Sequence, residues 1–177
     1  MTVYVVHATK KLLERIRPAV LVDPETPSTT MLGGWYATVL FWRPQVALLV
    51  NEATLLPVLT PLAPAATLLD RFPAALAAIM AAHGVGDDVV ASELASMDRY
   101  QLAKTANRSV LGVMNEFSRL ADAFRDDGVA VDVLDLAVRL AETPCSPLYK
   151  RHVSPDRELA AWVGDHTTIS TLRRGAR

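Results

Sequence analysis

The distribution of hydrophobic residues along the chain separates short β segments from amphipathic helices. The strongest β pattern lies in three consecutive segments: 35–42 is aromatic and β-branched, 46–51 is almost continuously apolar, and 54–59 contains a proline typical of an edge strand. Short polar turns separate these segments, so they predict a three-stranded antiparallel meander over 35–60. Val3–Ala8 forms a further β-rich run near the start of the chain.

Helical periodicity covers most of the remaining chain. One helix is marked clearly, because Asn107 is a suitable N-cap, apolar residues recur after it at helical spacing, and Gly128 is a suitable stop. An alanine-rich helix carries Pro73 in its predicted first turn and Gly84 just past its end. The predicted helices are 10–17, 72–83, 107–126, 131–142 and 155–162.

These elements predict a single α+β domain over residues 1–163, in which several amphipathic helices cover a small, mostly antiparallel sheet. A flexible polar tail is predicted over 164–177. The segment 18–34 is rich in Pro, Thr, Ser and Gly and is typical of a long surface loop. Short runs at 89–90 and 100–103 are candidates for additional strands. A chain of 177 residues is long enough for one well-formed core.

Composition and charge narrow the possible functions. The formal net charge is -1, so strong binding to duplex DNA is not expected. Cys145 is the only cysteine, which excludes an internal disulfide, and its loop offers no partner that would activate a thiolate. The histidines show no metal-ligand spacing, and no nucleotide-binding glycine motif occurs, so neither a metal nor a cofactor is predicted. The histidines are His7, His83, His152 and His166.

The chain is predicted to be cytoplasmic, with no contact to a membrane. Its N-terminus has no basic region before the short apolar run, as a signal peptide would. The uncharged stretch 53–69 contains three prolines, which would interrupt the hydrogen bonds of a spanning helix.

The most distinctive polar segment is Lys104–Phe117. On the helix that begins at Asn107, the positions Arg108, Gly112, Asn115 and Arg119 share one stripe beside the apolar face. The start of a helix favours an anion, because its first N–H groups are unpaired and the dipole is positive there. The candidate ligand- or partner-binding residues are Lys104, Thr105, Asn107, Arg108, Ser109, Asn115 and Glu116, joined by Asn51 and Glu52 at the end of a buried strand.

A purely structural role for these residues is the competing interpretation. Asn107 would then be only a cap, and Gly112 would only let a neighbouring backbone pack closely. Lys104 and Arg108 would form ion pairs with acidic residues such as Glu93 or Asp98. The turn residues Asn51 and Glu52 would likewise serve only the turn.

Several motifs in fixed order support a family resemblance. TKKLL is followed by a tryptophan-led strand, by VNEATLLPVL and by NRSVLGVMNEF. In this order they resemble an uncharacterised bacterial family of domains of unknown function, over roughly 3–147. Glu116 stands where that family is expected to have an aspartate, and Val113 where a small residue is usual. The resemblance implies the location of a site and carries no reaction.

Three functions follow as hypotheses. The first is a binding module that engages a protein partner or an anionic ligand through the polar start of the 107–126 helix. The second is an enzyme acting on a nucleotide or RNA phosphate, with Lys104 and Arg108 as the anion clamp and Glu116 as the acid/base. The third is an antitoxin-like or defence-operon component. The aromatic-rich strand 35–42 is a candidate homo-oligomer interface.

Overall fold

The fold was analysed in a computed structural model that describes residues 1–17, 19–125 and 130–175, with side chains described through residue 169. The strands of the described chain are β1 Val3–Ala8, β2 Leu21–Val22, β3 Trp35–Leu40, β4 Val46–Asn51, β5 Pro57–Pro61 and β6 Arg99–Lys104. The helices are α1 Lys10–Leu13, α2 Leu68–Ala82, α3 Asp87–Ala95, α4 Arg108–Phe124, α5 Val133–Ala141 and α6 Pro155–Gly175. Helices and a mixed sheet together confirm the α+β class.

The six strands form one sheet in the order β2-β6-β1-β3-β4-β5. The predicted meander is confirmed, since β3, β4 and β5 pair antiparallel and β5 is an edge strand. The prediction that the sheet is mostly antiparallel is wrong. The pairs β2–β6, β6–β1 and β1–β3 are all parallel. Parallel strands need a long connection, and α2 and α3 lie in the segment that leads from β5 at one edge of the sheet to β6, which pairs with β1.

The segment before β6 also differs from its predicted form. Val89–Val90 lies inside α3 rather than in a strand, and α3 begins with the acidic pair Asp87 and Asp88, which suit a helix N-terminus. Two adjacent valines carry too little periodicity to distinguish a strand from a helix. The strand predicted at 100–103 is confirmed as β6.

Helix α2 packs against the centre of the sheet, and α4 and α5 contribute further buried residues to the same core. Phe72 of α2 packs against Tyr4 at a ring-centroid distance of 5.9 Å and edge-on against Trp35 at 4.9 Å. The Tyr4 hydroxyl donates a hydrogen bond of 2.8 Å to the Leu69 carbonyl of the same helix. These contacts join α2 to β1 and β3, the two strands that carry the candidate site.

The segment Ala65–Ala82, a short 3₁₀ turn followed by α2, is long and apolar enough to cross a membrane by length and composition alone. A core helix of a globular domain meets the same criterion. The buried residues of α2 include Leu68, Phe72 and Leu76, which face the core. This packing gives one reason for the apolar composition of the helix, and the predicted lack of membrane contact stays a prediction.

The C-terminal helix is longer than the sequence predicts. Helix α6 begins at Pro155 as predicted but continues to Gly175 instead of ending at Trp162. Its Trp162 Nε1 donates to the Met31 carbonyl at 3.0 Å, so α6 holds the loop before β3. The division into a 1–163 domain and a flexible 164–177 tail stays a prediction, and residues 176–177 are outside the described residues. Gly128, the predicted stop of α4, is outside them too.

Candidate functional site

A polar cavity of about 430 Å³ lies beside the carboxyl ends of β1 and β6. These ends are adjacent because the two strands are parallel, with Ala8 opposite Lys104. Loops that follow parallel strands meet at this edge, and binding sites of α/β sheets are often found there. The lining residues are His7, Pro24, Glu25, Thr26, Pro27, Ser28, Gly34, Tyr36, Glu52, Ala106 and Asn107.

His7 is the most unusual lining residue, because it is only 3% exposed on a strand of the core. Its Nδ1 lies 3.2 Å from the Lys104 carbonyl oxygen. A carbonyl can only accept, so Nδ1 carries a hydrogen, and the neutral tautomer that meets this requirement has a lone pair on Nε2. The ring stacks on Tyr36 at 4.5 Å and 13°. Within the described residues Nε2 has no hydrogen-bond partner, and it borders the cavity.

Tyr36 presents a hydroxyl to the same cavity. Its oxygen accepts a 3.0 Å hydrogen bond from the backbone N–H of Asn107, so its own proton is left to donate. Burial is the main reason that the pKa of Tyr36 is raised above 10.0; the Asn107 N–H opposes this and the nearby charge of Glu52 adds to it. The phenol is therefore protonated at neutral pH and acts as a donor.

Gly34 opens the space between these polar groups. A Cβ atom at this position would lie 2.8 Å from Glu52 Oε2, 3.7 Å from His7 Nε2 and 3.8 Å from Ser28 Oγ. Three polar atoms therefore surround the point that any side chain would occupy. Because Gly34 has no side chain, the Glu52 carboxylate can pack close to its backbone, and the three polar atoms lie together on this part of the cavity wall.

Asn51 holds the loop that carries Gly34. It is fully buried, and its Nδ2 donates to the carbonyls of Leu32 at 2.8 Å and Gly34 at 3.2 Å. Its Oδ1 accepts from the N–H groups of Ala53 and Thr54 and from the Thr54 hydroxyl. Asn51 thus joins the end of β4 to the loop before β3, which favours its structural interpretation over direct contact with a ligand.

Glu93 of α3 holds the same loop from the other side. Its buried carboxylate accepts hydrogen bonds from the N–H of Met31 at 3.0 Å and of Leu32 at 3.1 Å. Burial raises the pKa of Glu93 above 4.5, while those N–H groups, the Thr30 side chain and the charge of His166 oppose the rise.

This raised pKa predicts how stability depends on pH. Because the folded state binds the Glu93 proton more tightly than the unfolded state, the resulting stabilisation is complete below the ordinary pKa and is lost as pH rises through the raised one. Urea unfolding over roughly pH 4 to 7 should therefore show that the stability of the native protein, relative to Glu93→Gln, falls as pH rises. A difference that is constant or grows with pH would contradict the assignment.

The predicted site residues separate into groups in the structure. Glu52 and Asn107 line the cavity, and Asn51 lies behind it. Asn107 is confirmed as the cap of α4, since its Oδ1 accepts from the N–H groups of Ser109 and Val110. The remaining predicted residues do not line the cavity; they are Lys104, Thr105, Arg108, Ser109, Asn115 and Glu116.

The ion pairs considered for Lys104 and Arg108 do not form within the described part of the chain. Glu93 is occupied by backbone N–H groups, and Asp98 accepts from the Thr2 hydroxyl. Lys104 reaches the site only through its carbonyl oxygen, which orients His7. Both basic side chains are exposed on the surface around the start of α4.

Gly112 does not mark a close approach within this chain, because a Cβ added there would have no neighbour within 4 Å. Gly112→Ala should therefore raise the free energy of unfolding by roughly 0.5–1 kcal/mol, the usual gain for alanine over glycine inside a helix. Chemical denaturation would measure this gain. A destabilising effect would show that something occupies the space beside Gly112.

Sequence reasoning missed part of the cavity. The sequence alone does not indicate that His7, Gly34, Tyr36 and Ser28 belong to one site. Their relation depends on β1 and β3 being adjacent and parallel, with His7 opposite Tyr36. The one available signal was a polar His7 near the end of an otherwise apolar strand.

Two other features of the described chain do not bring several polar side chains together as the cavity does. A groove of about 330 Å³ beside β6 is mostly apolar, with Val20 and Leu102 among its lining residues. Cys145 is buried, and burial, with a smaller effect from Glu116, raises the pKa of its thiol to about 12. The thiol is therefore protonated at neutral pH, as expected for an unreactive cysteine.

Fold and cavity define the chain as an α+β domain with a polar site at the carboxyl edge of its parallel strands. The chain belongs to the family DUF6933, a domain of unknown function, whose model matches residues 5–158. The family resemblance seen in the sequence is thereby confirmed, and the cavity lies inside the matched region. No curated protein and no solved structure matched the chain.

Proposed function

We propose that this protein is a binding module whose ligand occupies the cavity beside the polar start of α4. The observation that carries the proposal is the orientation of His7. Its ring is buried, one nitrogen is fixed by the Lys104 carbonyl, and the other is left without a partner at the cavity wall. Nε2 borders the cavity, so a ligand that fills the cavity can donate a hydrogen bond to this nitrogen in place of solvent.

The other lining groups support the same proposal. Tyr36 provides a free hydroxyl proton, Glu52 provides a carboxylate, and the Ser28 hydroxyl lies on the same part of the wall, within 4 Å of the Cβ position of Gly34. The loop that carries Gly34 is held by independent contacts from Asn51 and Glu93. A preorganised cavity with a few convergent polar groups is typical of a small-molecule site, and about 430 Å³ is within the usual size range.

The exposed stripe of α4 supports a second candidate, in which a protein partner binds outside the cavity. Arg108, Asn115 and Arg119 are all exposed, and Gly112 leaves the surface between them open. Arg108→Ala should change stability by less than about 0.5 kcal/mol while weakening capture of a partner. Unfolding of this variant would make Arg108 structural and remove the second candidate.

Two further hypotheses from the sequence stay predictions. The hypothesis of an enzyme acting on a nucleotide or RNA phosphate assigns the acid/base role to Glu116, which does not line the cavity. Such an enzyme would have to draw its base from His7, whose Nε2 is free within the described residues. An antitoxin-like role is tested by operon context. Bacterial origin and cytoplasmic location stay predictions as well.

A two-stage experiment tests the binding module. Small cationic, anionic and neutral polar compounds are first screened by thermal unfolding, because a ligand that binds only the folded state raises Tm. Compounds that raise Tm are then titrated while the ring nitrogens of His7 are followed by NMR. We expect at least one compound to shift the Nε2 resonance. If no compound of any class shifts it, the proposal fails.

Gly34→Ala and Gly112→Ala form a matched pair for this experiment. The new methyl group at Gly34 would meet the flexible end of Glu52, so the fold should be retained while the carboxylate is displaced from the cavity. The same methyl group at Gly112 meets nothing. We expect Gly34→Ala to weaken cavity ligands by roughly tenfold, the usual effect of losing a hydrogen bond to a charged group, and Gly112→Ala to leave them unchanged.

A further inference from the structure

We infer that the ligand of this cavity is an organic cation with N–H donors, either an ammonium or a guanidinium group. The inference rests on the proposed function and adds the chemical class of the ligand. It starts from the charges of the cavity wall. Among the lining residues of the described chain, Glu25 and Glu52 carry carboxylates and none is a lysine or arginine. A wall of this charge attracts cations and repels anions.

The three polar atoms nearest Gly34 favour the same class. Glu52 Oε2, His7 Nε2 and Ser28 Oγ all lie within 4 Å of the point above Gly34. A carboxylate accepts only, the free nitrogen of a neutral imidazole accepts, and the Ser28 hydroxyl, which already accepts from the Val5 N–H, can accept a second bond. An ammonium group carries three N–H donors and no acceptor, so it suits a cavity wall on which several acceptor atoms lie near one another. Charge-assisted bonds to the carboxylate would be the strongest of these contacts.

A cationic ligand differs from the anion that the sequence predicts at the start of α4. The cap Asn107 already occupies the N–H groups of Ser109 and Val110, so the helix start has fewer free donors than an uncapped helix would have. Lys104 and Arg108 are exposed outside the cavity. An anion placed beside Gly34 would face Glu52 directly without a cation among the lining side chains.

A metal ion suits the described residues less well. Their histidine, cysteine and carboxylate side chains form no group of three or more that could hold one. His7 and Glu52 supply two ligands at most near Gly34. An organic cation needs only hydrogen-bond acceptors and a matching charge, and both are present.

Free amines and the side chains of a protein partner offer the same chemistry. The cavity would admit a small molecule, or the end of a lysine or arginine side chain from a docked peptide. Both sources would place an N–H-bearing cation between Glu52 and His7. They differ in whether the isolated group binds without the peptide around it.

A matched series of probes tests the charge class. Propylammonium, propylguanidinium, propanol, propionate and propyl phosphate share one alkyl chain and differ in the polar group. Peptides with a single central lysine or arginine form the partner arm. Each probe is titrated at neutral pH while the His7 ring nitrogens are followed by NMR. We expect the two small cations or the cationic peptides to shift Nε2 and the neutral and anionic probes to leave it unchanged.

Glu52→Gln and Glu142→Gln are the paired variants, since each removes one exposed carboxylate and only Glu52 lines the cavity. Loss of the charge at Glu52 should weaken the cation by about tenfold to a hundredfold, and the change at Glu142 should leave it as in the native protein. Equal affinity for native protein and Glu52→Gln would overturn the inference.

The outcomes separate this inference from the proposed function. If only propionate, propyl phosphate or propanol shifts the His7 resonance, the cation inference fails and the binding module stands. If no probe shifts it and the broader screen finds no cavity ligand either, both fail. A response confined to the peptides would support the cation and assign it to a protein partner.

Discussion

Replacing Asn51 with alanine is expected to lower the free energy of unfolding by about 3 kcal/mol, because several buried polar groups would lose their partners together. The Leu32 and Gly34 carbonyls would lose the Nδ2 donor, and the N–H groups of Ala53 and Thr54 would lose the Oδ1 acceptor. A buried group left unpaired costs about 1–3 kcal/mol, and partial relaxation of the turn keeps the total below the sum.

Urea unfolding monitored by circular dichroism would measure the effect, with Glu52→Ala as the neighbouring control. Glu52 is exposed, so its replacement should change stability by less than about 0.5 kcal/mol. This result would assign a structural role to Asn51 and leave Glu52 available for a functional role. Comparable small effects for both would show that Asn51 does not hold the loop before β3.

The second large effect is expected for Phe72→Ala, at about 4 kcal/mol of lost stability. Phe72 is fully buried and contacts the rings of both Tyr4 and Trp35, so its removal would leave a cavity at the junction of α2, β1 and β3. Removing a large aromatic side chain from a core costs the transfer free energy of the ring and the free energy of the cavity.

Phe41→Ala is the matched control for this change. Phe41 is 53% exposed and contacts only the cationic ends of Lys11 and Arg15 among the ring contacts described. Its loss should cost less than about 1 kcal/mol. If thermal and urea unfolding gave the two variants similar stability, the α2–sheet contact would not be the centre of the core.

The helices and the meander could be predicted from sequence because their signals are local. Asn107 caps α4 as expected, the run of β4 is buried on both faces, and Pro57 begins an edge strand. Capping, periodicity and proline placement each act within a few residues of the chain. The parallel half of the sheet could not be predicted in the same way, because no local pattern states which strands become neighbours.

The residues of the candidate site also divide into those that a local sequence signal predicts and those that depend on which strands are neighbours. Glu52 and Asn107 were predicted and do line the cavity, since each follows or begins a recognisable element. The pairing of His7 with Tyr36 depends on the register of β1 and β3, which the sequence does not encode locally. The charge of the cavity could not be predicted either. Lys104 and Arg108 are close to the site in sequence, yet the carboxylates of Glu25 and Glu52 face it in space.

The binding role of the cavity is tested most directly by the ring nitrogens of His7. In the ligand-free protein, long-range proton–nitrogen NMR spectra should show a hydrogen on Nδ1 of the ring, as its contact with the Lys104 carbonyl requires. Titration with propylammonium, propylguanidinium or the lysine and arginine peptides is predicted to shift Nε2 in the native protein and less in Glu52→Gln. A ring protonated at Nε2, or an Nε2 resonance unmoved by every cationic, anionic and neutral ligand, would contradict the account.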